Sequence, residues 1–313
     1  MSIVLLVCSV GLLALPRIAG RVGRRLPPHR WARITAACLV AGLILWETGL
    51  ALLAAPALLR SSHAGGLADA CLRLLGRFEP VASPTVGWLA VALAGWTAAG
   101  IVRAHRRIGA HRRVAHLESW VGEHELRDGY DLVILPVDDM VAMSVPGTPA
   151  QVVVSTAMVK ALTDDQFAAV LRHEEAHLTH HHDRLLNLAG VAGARVALVP
   201  FARTSARVLE TAVERWADEA AAGENCEDRR ALRTALWEVT ATRALGGIAA
   251  FAGPCTVVER LRALDRPAPE PSVAATVLVG LPVGSLLILA ALTLFAARSE
   301  LGLLVSLARA CAG

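Results

Sequence analysis

His173-Glu174-Glu175-Ala176-His177 sets two imidazoles four residues apart with a carboxylate beside the first. On a helix this spacing brings both rings to one face about a turn apart, where they can share a single metal ion. Glu174 can then face a metal-activated water as general base while the same ion polarises a peptide carbonyl. The bland alternative is a histidine-rich solvated face, because His180, His181 and His182 follow directly.

Two histidines leave a zinc site in need of at least a third protein ligand. Glu214-Arg215-Trp216-Ala217-Asp218 offers one carboxylate and a second four residues later on the same face. Ala212, Val213, Ala217 and Ala220 to Ala222 make this a packed helix over roughly Ser205 to Ala222. An acid buried beside alanine is costly unless paired or metal-bound. The expected centre is His173, His177 and Glu214 around one Zn2+ per chain, with Asp218 accepting from the ring N–H of a ligand histidine. Glu210, which shares a face with Glu214, and Glu219 compete for the third-ligand role.

These groups need a scaffold. Tyr130 to Val137, Val141 to Val145 and Gln151 to Ser155 read as strands, the last two separated by the turn Pro146-Gly147-Thr148-Pro149. Thr163 with Gln166 three residues on is a capping-box pattern, and Phe167, Val170, Leu171, Glu174 and Leu178 recur behind it at helical spacing. The metal-binding pair therefore belongs to a helix that starts near Asp164. Val141 to Val145 is either an ordinary structural strand or the edge that pairs with an extended substrate. Asp228 to Leu264 has helical character and no readable chemistry.

The rest of the chain is unusually apolar. Of 313 residues 55% are hydrophobic and 19% charged, with a mean hydropathy of +0.50. Soluble domains hold less apolar sequence, and such a composition excludes disorder. The excess lies in segments of about 2–20, 34–59, 80–102 and 272–297, whose only charge outside the flanks is Glu47. About 20 apolar residues cross a bilayer, so the last three are long enough and the first is marginal. Its arginines come after the apolar run rather than before it, which argues for an uncleaved span over a secretory signal.

Arginine placement orients these spans. Arg17, Arg21, Arg24, Arg25, Arg30 and Arg33 follow the first span, and Arg103, Arg106, Arg107, Arg112 and Arg113 follow the third, in both cases without an acid between them. By the positive-inside rule both loops are cytoplasmic. The expected organisation is three spans in 1–102, a cytoplasmic α+β domain over 103–271, a fourth span at 272–297 and a short extracytoplasmic tail at 298–313, with both termini outside. Basic runs abutting spans are anchors on anionic lipid, so direct nucleic-acid binding is not expected. Cys71 and Cys311 then fall on the oxidising side and could form a disulfide. Leu185 to Phe201 is apolar enough to mimic another crossing, but a crossing there would separate Glu214 from His173, so it must be an interfacial or core helix. Glu47, in mid-span, is either functional or a neutral acid hydrogen-bonded within the bundle.

The His173–His177 helix, the downstream Glu214-Arg215-Trp216-Ala217-Asp218 helix and the flanking spans together resemble the integral-membrane gluzincin peptidases. Two groups fit, the HtpX-type quality-control proteases and the BlaR/MecR-type peptidases of β-lactam receptors. The second is closer in topology, with three spans before the zinc domain and one after, and a catalytic helix that runs on through a basic turn matched by His180-His181-His182-Asp183-Arg184 and Asn187. The penicillin-binding sensor of that group has no counterpart before Gly313. The resemblance implies a multi-pass plasma-membrane zinc metalloendopeptidase. Its expected role is regulatory, cutting itself or a cytoplasmic winged-helix repressor. Its partners would be the lipid bilayer and that protein substrate, with a homodimer also compatible. Broad HtpX-like proteolysis and a non-proteolytic scaffold with structural zinc are the alternatives.

Overall fold

The computed structural model describes residues 1–61, 83–118, 122–193, 199–223, 225–245 and 254–310. Cys71 and Cys311, and with them the expected disulfide, lie outside the described residues.

The chain opens with helix α1, Ser2–Ile18, followed by a single turn, α2, Gly20–Gly23, and the long helices α3, Pro28–Ser61, and α4, Pro84–Glu118. Glycine lets α1 and α3 approach closely: a Cβ on Gly42 would stand 2.6 Å from Leu13 Cγ. The Ser9 hydroxyl donates to the Gly42 carbonyl at 2.7 Å across the same seam. Small residues and buried hydroxyl bonds are how helices associate where apolar surroundings supply no hydrophobic drive. Glu47 accepts a hydrogen bond from the Thr97 hydroxyl of α4, a partner within the bundle.

The final helix, α11, is Val273–Ala310. It exposes Leu278, Leu281, Ile288, Leu292 and Phe295, an apolar surface suited to lipid rather than water. Three helical segments are long and apolar enough to cross a membrane: Pro28–Ser61, Pro84–Arg107 and Val273–Ala296. The expected first span is the shorter α1, whose 17 residues reach about 25 Å, against a hydrocarbon core of about 30 Å. Helix α11 continues unbroken through the segment expected as the tail, to Ala310.

Between α4 and α11 lies the α+β unit. Strands β1, Glu123–Arg127, β2, Tyr130–Leu135, β3, Ala142–Val145, and β4, Gln151–Ser155, form one sheet in the order β1-β2-β4-β3. β2 and β4 are parallel and the other two pairings are antiparallel. All five residues of β4 are buried, as a continuous Val run in a central strand requires, whereas the five of β1 are exposed. Ser155 caps the short helix α5, Thr156–Ala161.

Helix α6, Asp164–Thr179, carries the two spaced histidines. Its capping box is complete: Gln166 N–H donates to the Thr163 hydroxyl at 3.4 Å, and Thr163 N–H donates to Gln166 Oε1 at 2.9 Å. Leu171, Phe167 and Leu178 hold this helix against Tyr130, Leu132, Val152 and Val154 of the sheet. His181, in the left-handed region at φ 52°, breaks the helix and turns the chain into α7, His182–Gly193.

Helix α7 packs on α8, Ala202–Ala222, and the two lie against α1 and α3. Ala189, Ala192, Ala206, Leu209 and Val213 share one core with Leu13, Trp31 and Leu39. The Ser205 hydroxyl donates to the Leu13 carbonyl at 2.5 Å. The described part of the apolar stretch after the histidines thus packs within the helical bundle. Helix α8, packed beside α7, carries Glu214 to the histidines. Helices α9, Cys226–Leu245, and α10, Pro254–Leu264, close the unit: Ala235 and Leu232 of α9 and Leu264 of α10 pack on α5, α6 and α8.

Candidate metal centre

One helical turn separates His173 from His177 on α6, and their Nε2 atoms lie 3.1 Å apart. Glu214, from the middle of α8, presents Oε2 3.6 Å from His173 Nε2 and Oε1 3.7 Å from His177 Nε2. One donor atom from each of the three residues falls within 4.8 Å of the others. Donors arranged tetrahedrally around zinc at its usual bond lengths stand about 3.3–3.6 Å apart, so the three present the open face of such a site. Of the competing acids, Glu219 is committed elsewhere, accepting from Arg229 Nη2 at 2.5 Å, and Glu210 is not in the cluster.

Glu174, next to the first histidine, is buried. Burial raises its carboxyl above the ordinary glutamate value; the His173 ring and Ser144 of β3 act the other way. A carboxylate tuned upward beside a metal-type cluster is placed to exchange a proton.

Behind the cluster stands Asp218, 2% exposed. Its Oδ1 lies 3.1 Å from His173 Nδ1, with the ring turned off the straight hydrogen-bond direction. This is the position expected of the acid that orients a ligand ring. Burial depresses the His173 imidazolium, but Asp218 and then Glu214 outweigh it and raise the group to about 10. The pocket between the two acids therefore favours a positive charge at this point. His177, buried with less compensation, is lowered to about 4.

Two contributors escaped the sequence. The first is Arg260 of α10, from a stretch with no readable chemistry. It is buried, donates from Nε to Asp218 Oδ2 at 2.8 Å and from Nη2 to Oδ1 at 2.7 Å, and reaches Glu214 Oε2 with Nη1 at 2.9 Å. Burial acts upward on both acids, but the guanidinium beside them is decisive: Asp218 falls to about 2 and Glu214 lies well below the usual carboxylate range. No spacing rule ties Arg260 to Asp218, 42 residues away; only the fold joins them.

The second is His182. The left-handed turn at His181 swings it over His177, Nδ1 to Nδ1 at 3.2 Å, fully buried. Burial and then the neighbouring His177 lower its pKa to about 3, so the ring is neutral. Trp216 covers this corner, its ring 4.6 Å from His182 and stacked 5.0 Å from His180. From α3, Arg33 sits over the same indole at 5.4 Å and His29 at 5.9 Å. Part of the histidine run is therefore structural and part touches the cluster.

Residues 133–268 match the family model of Peptidase family M48, a family of zinc metallopeptidases. The match begins in β2 and extends past Arg260, so it takes in every residue of the centre, while α1 to α4 and α11 lie outside it. No curated protein and no solved structure matches the chain significantly. Over residues 133–268 the chain is thus similar to Peptidase family M48, and outside that segment it carries three helical segments long and apolar enough to cross a membrane.

Proposed function

We propose that this protein is a membrane-embedded zinc-dependent endopeptidase that cuts at few sites, its substrate being itself or a cytoplasmic transcriptional repressor. The observation that carries the peptidase reading is the cluster of His173, His177 and Glu214 with buried Glu174 beside it. These three side chains would hold one zinc ion, which when bound polarises a scissile carbonyl and acidifies water. Glu174 takes the proton of the attacking water and delivers it to the leaving amine, the exchange that its raised pKa favours. Asp218 and His182 fix the rings of His173 and His177, and Arg260 keeps both acids ionised and in place.

Strand β3 is a sheet edge beside this helix, paired only with β4 among the described residues. An extended peptide added along its open side would lie against Ser144 and Glu174, giving main-chain recognition without strict sequence demand. Limited cleavage in that arrangement would come from restricted access to the edge.

A second reading, broad quality-control proteolysis of the HtpX kind, is favoured by one observation: the α7–α8 hairpin between the ligands packs among the membrane-type helices. A scaffold with structural zinc is disfavoured, because a purely structural site has no use for a base beside its ligand and closes its fourth position with Cys or His.

The test uses the full chain in detergent. Wild type, Glu174→Ala and Glu214→Ala are compared for zinc content and for cleavage of self, of a co-expressed repressor and of unfolded membrane proteins. The proposal expects Glu174→Ala to keep one zinc and lose cleavage, Glu214→Ala to lose the metal, and wild type to cut at one or two sites. Cleavage at many sites would shift the role to quality control. Absence of zinc in all three, or undiminished activity in Glu174→Ala, would remove the enzyme reading.

A further inference from the structure

A cavity of about 770 Å³ opens where α2, α8 and α10 meet, and no residue of the metal cluster lines it. Six arginines line it: Arg21, Arg24 and Arg25 from the turn between α1 and α3, Arg215 from α8, and Arg262 and Arg266 from α10 and its end. Against them stand Glu219 and Glu259, leaving an excess of four positive charges. Glu219 is already answered by Arg229 at 2.5 Å, a residue that does not line the cavity. Glu259 makes a loose contact with Arg24, 3.8 Å away. The cavity is thus more cationic than its residue count.

Arg215 gives the site its depth. The residue is 7% exposed, and its Nε has no hydrogen-bond partner. A buried, incompletely satisfied guanidinium costs free energy unless an anion answers it. Arginines converging in this way suit the planar, multidentate recognition of phosphate oxygens.

The surroundings identify the side from which such an anion arrives. Arg21 to Arg25 lie between the end of α1 and the start of α3, and Pro267 and Pro269 lead into α11, so the mouth sits where three apolar helices emerge. Val258, Ala263 and the two prolines supply an apolar wall beside the arginines. Charged head and apolar stem are both provided for. We propose that this cavity is a binding site for a phosphate-bearing anion, drawn either from an anionic phospholipid headgroup or from free phosphate, and that Arg215 couples its occupancy to α8 and the adjacent Glu214. The binding step does not depend on hydrolysis.

The test is native mass spectrometry of the delipidated full chain in zwitterionic detergent, titrated separately with phosphatidylglycerol, phosphatidylcholine and inorganic pyrophosphate. One phosphatidylglycerol should bind per chain in preference to phosphatidylcholine. The triple variant Arg21→Gln/Arg25→Gln/Arg262→Gln, altering exposed side chains, should weaken it about a hundredfold. The variant Arg17→Gln/Arg103→Gln/Arg106→Gln, which removes equal charge outside the cavity, should leave it unchanged. Binding of pyrophosphate that displaces the lipid and shows the same loss in the first variant identifies the soluble anion as the source and upholds the site. No anion preference, or equal loss in both variants, overturns it. Coupling is read separately: anion binding to wild type should change zinc affinity by at least about fivefold, and an unchanged affinity removes that part of the proposal.

Discussion

Arg260 and Asp218 form a two-pronged pair in the interior, with hydrogen bonds of 2.7 and 2.8 Å, and the third guanidinium nitrogen rests on Glu214. One cation therefore neutralises both an expected metal ligand and the acid behind another ligand. Substituting Arg260→Met leaves buried Asp218 and half-buried Glu214 without their countercharge. The expected loss is about 3–5 kcal/mol of stability and about 10–100-fold in zinc affinity, measured by thermal unfolding and chelator competition. Unchanged values in both would show that the pair is incidental.

Glu174→Gln preserves shape and removes the proton acceptor. Zinc content should equal wild type while the cleavage rate falls by about 10²–10⁴-fold, measured by single-turnover cleavage at matched metal loading. If the metal is lost with the activity, Glu174 is a ligand or a structural group rather than the base.

His182 touches the back of His177, its Nδ1 3.2 Å from the Nδ1 of that ring. His182→Ala should lower zinc affinity about tenfold or more while Glu174 remains in place, so activity should recover at saturating zinc. An affinity equal to wild type would assign His182 to packing against Trp216 alone.

Glu210 gives a pH-dependent stability test. Burial raises its carboxyl above the ordinary value, Arg207 opposes this and Glu214 adds to it. A group with a raised folded pKa favours the fold below its unfolded pKa, and that contribution disappears as pH climbs through the folded value. Glu210→Gln should therefore unfold at a higher temperature than wild type at neutral pH, with the gap closing towards about pH 4. A gap that widens on acidification contradicts the sign.

Thr163→Ala removes the side-chain half of the capping box on the histidine helix. Stability should fall by about 1 kcal/mol with zinc affinity retained, since the cap lies more than two turns from His173. Loss of metal in this variant would show that the cap sets the register of the site.

Much of the centre was legible because local rules govern it. The four-residue spacing of His173 and His177, the Thr163–Gln166 box and the Val run of β4 each encode a short-range structure, and each appears where the sequence placed it. Glu214 was chosen by chemistry and neighbours, and the fold brings it to the histidines. β1 went unseen because Glu123-His124-Glu125-Leu126-Arg127 is an exposed edge with no alternating apolar pattern, held only by pairing to β2. Arg260 went unseen for the opposite reason, since its partners are set wholly by tertiary packing. The tail after residue 297 continues as helix because Ser299 to Ala310 holds residues with no strong breaker other than Gly302.

The seam between the hairpin and the first helices has a practical outcome. Leu185, Leu188, Ala192, Ala206, Leu209 and Val213 find their cover in residues from α1 and α3, and Ser205 is bonded to the α1 backbone itself. A fragment trimmed to residues 133–268 would keep the whole candidate metal centre and lose the wall those residues lean on. One flank of the matched segment is thus covered by the rest of its own polypeptide, and a soluble version would need that flank replaced.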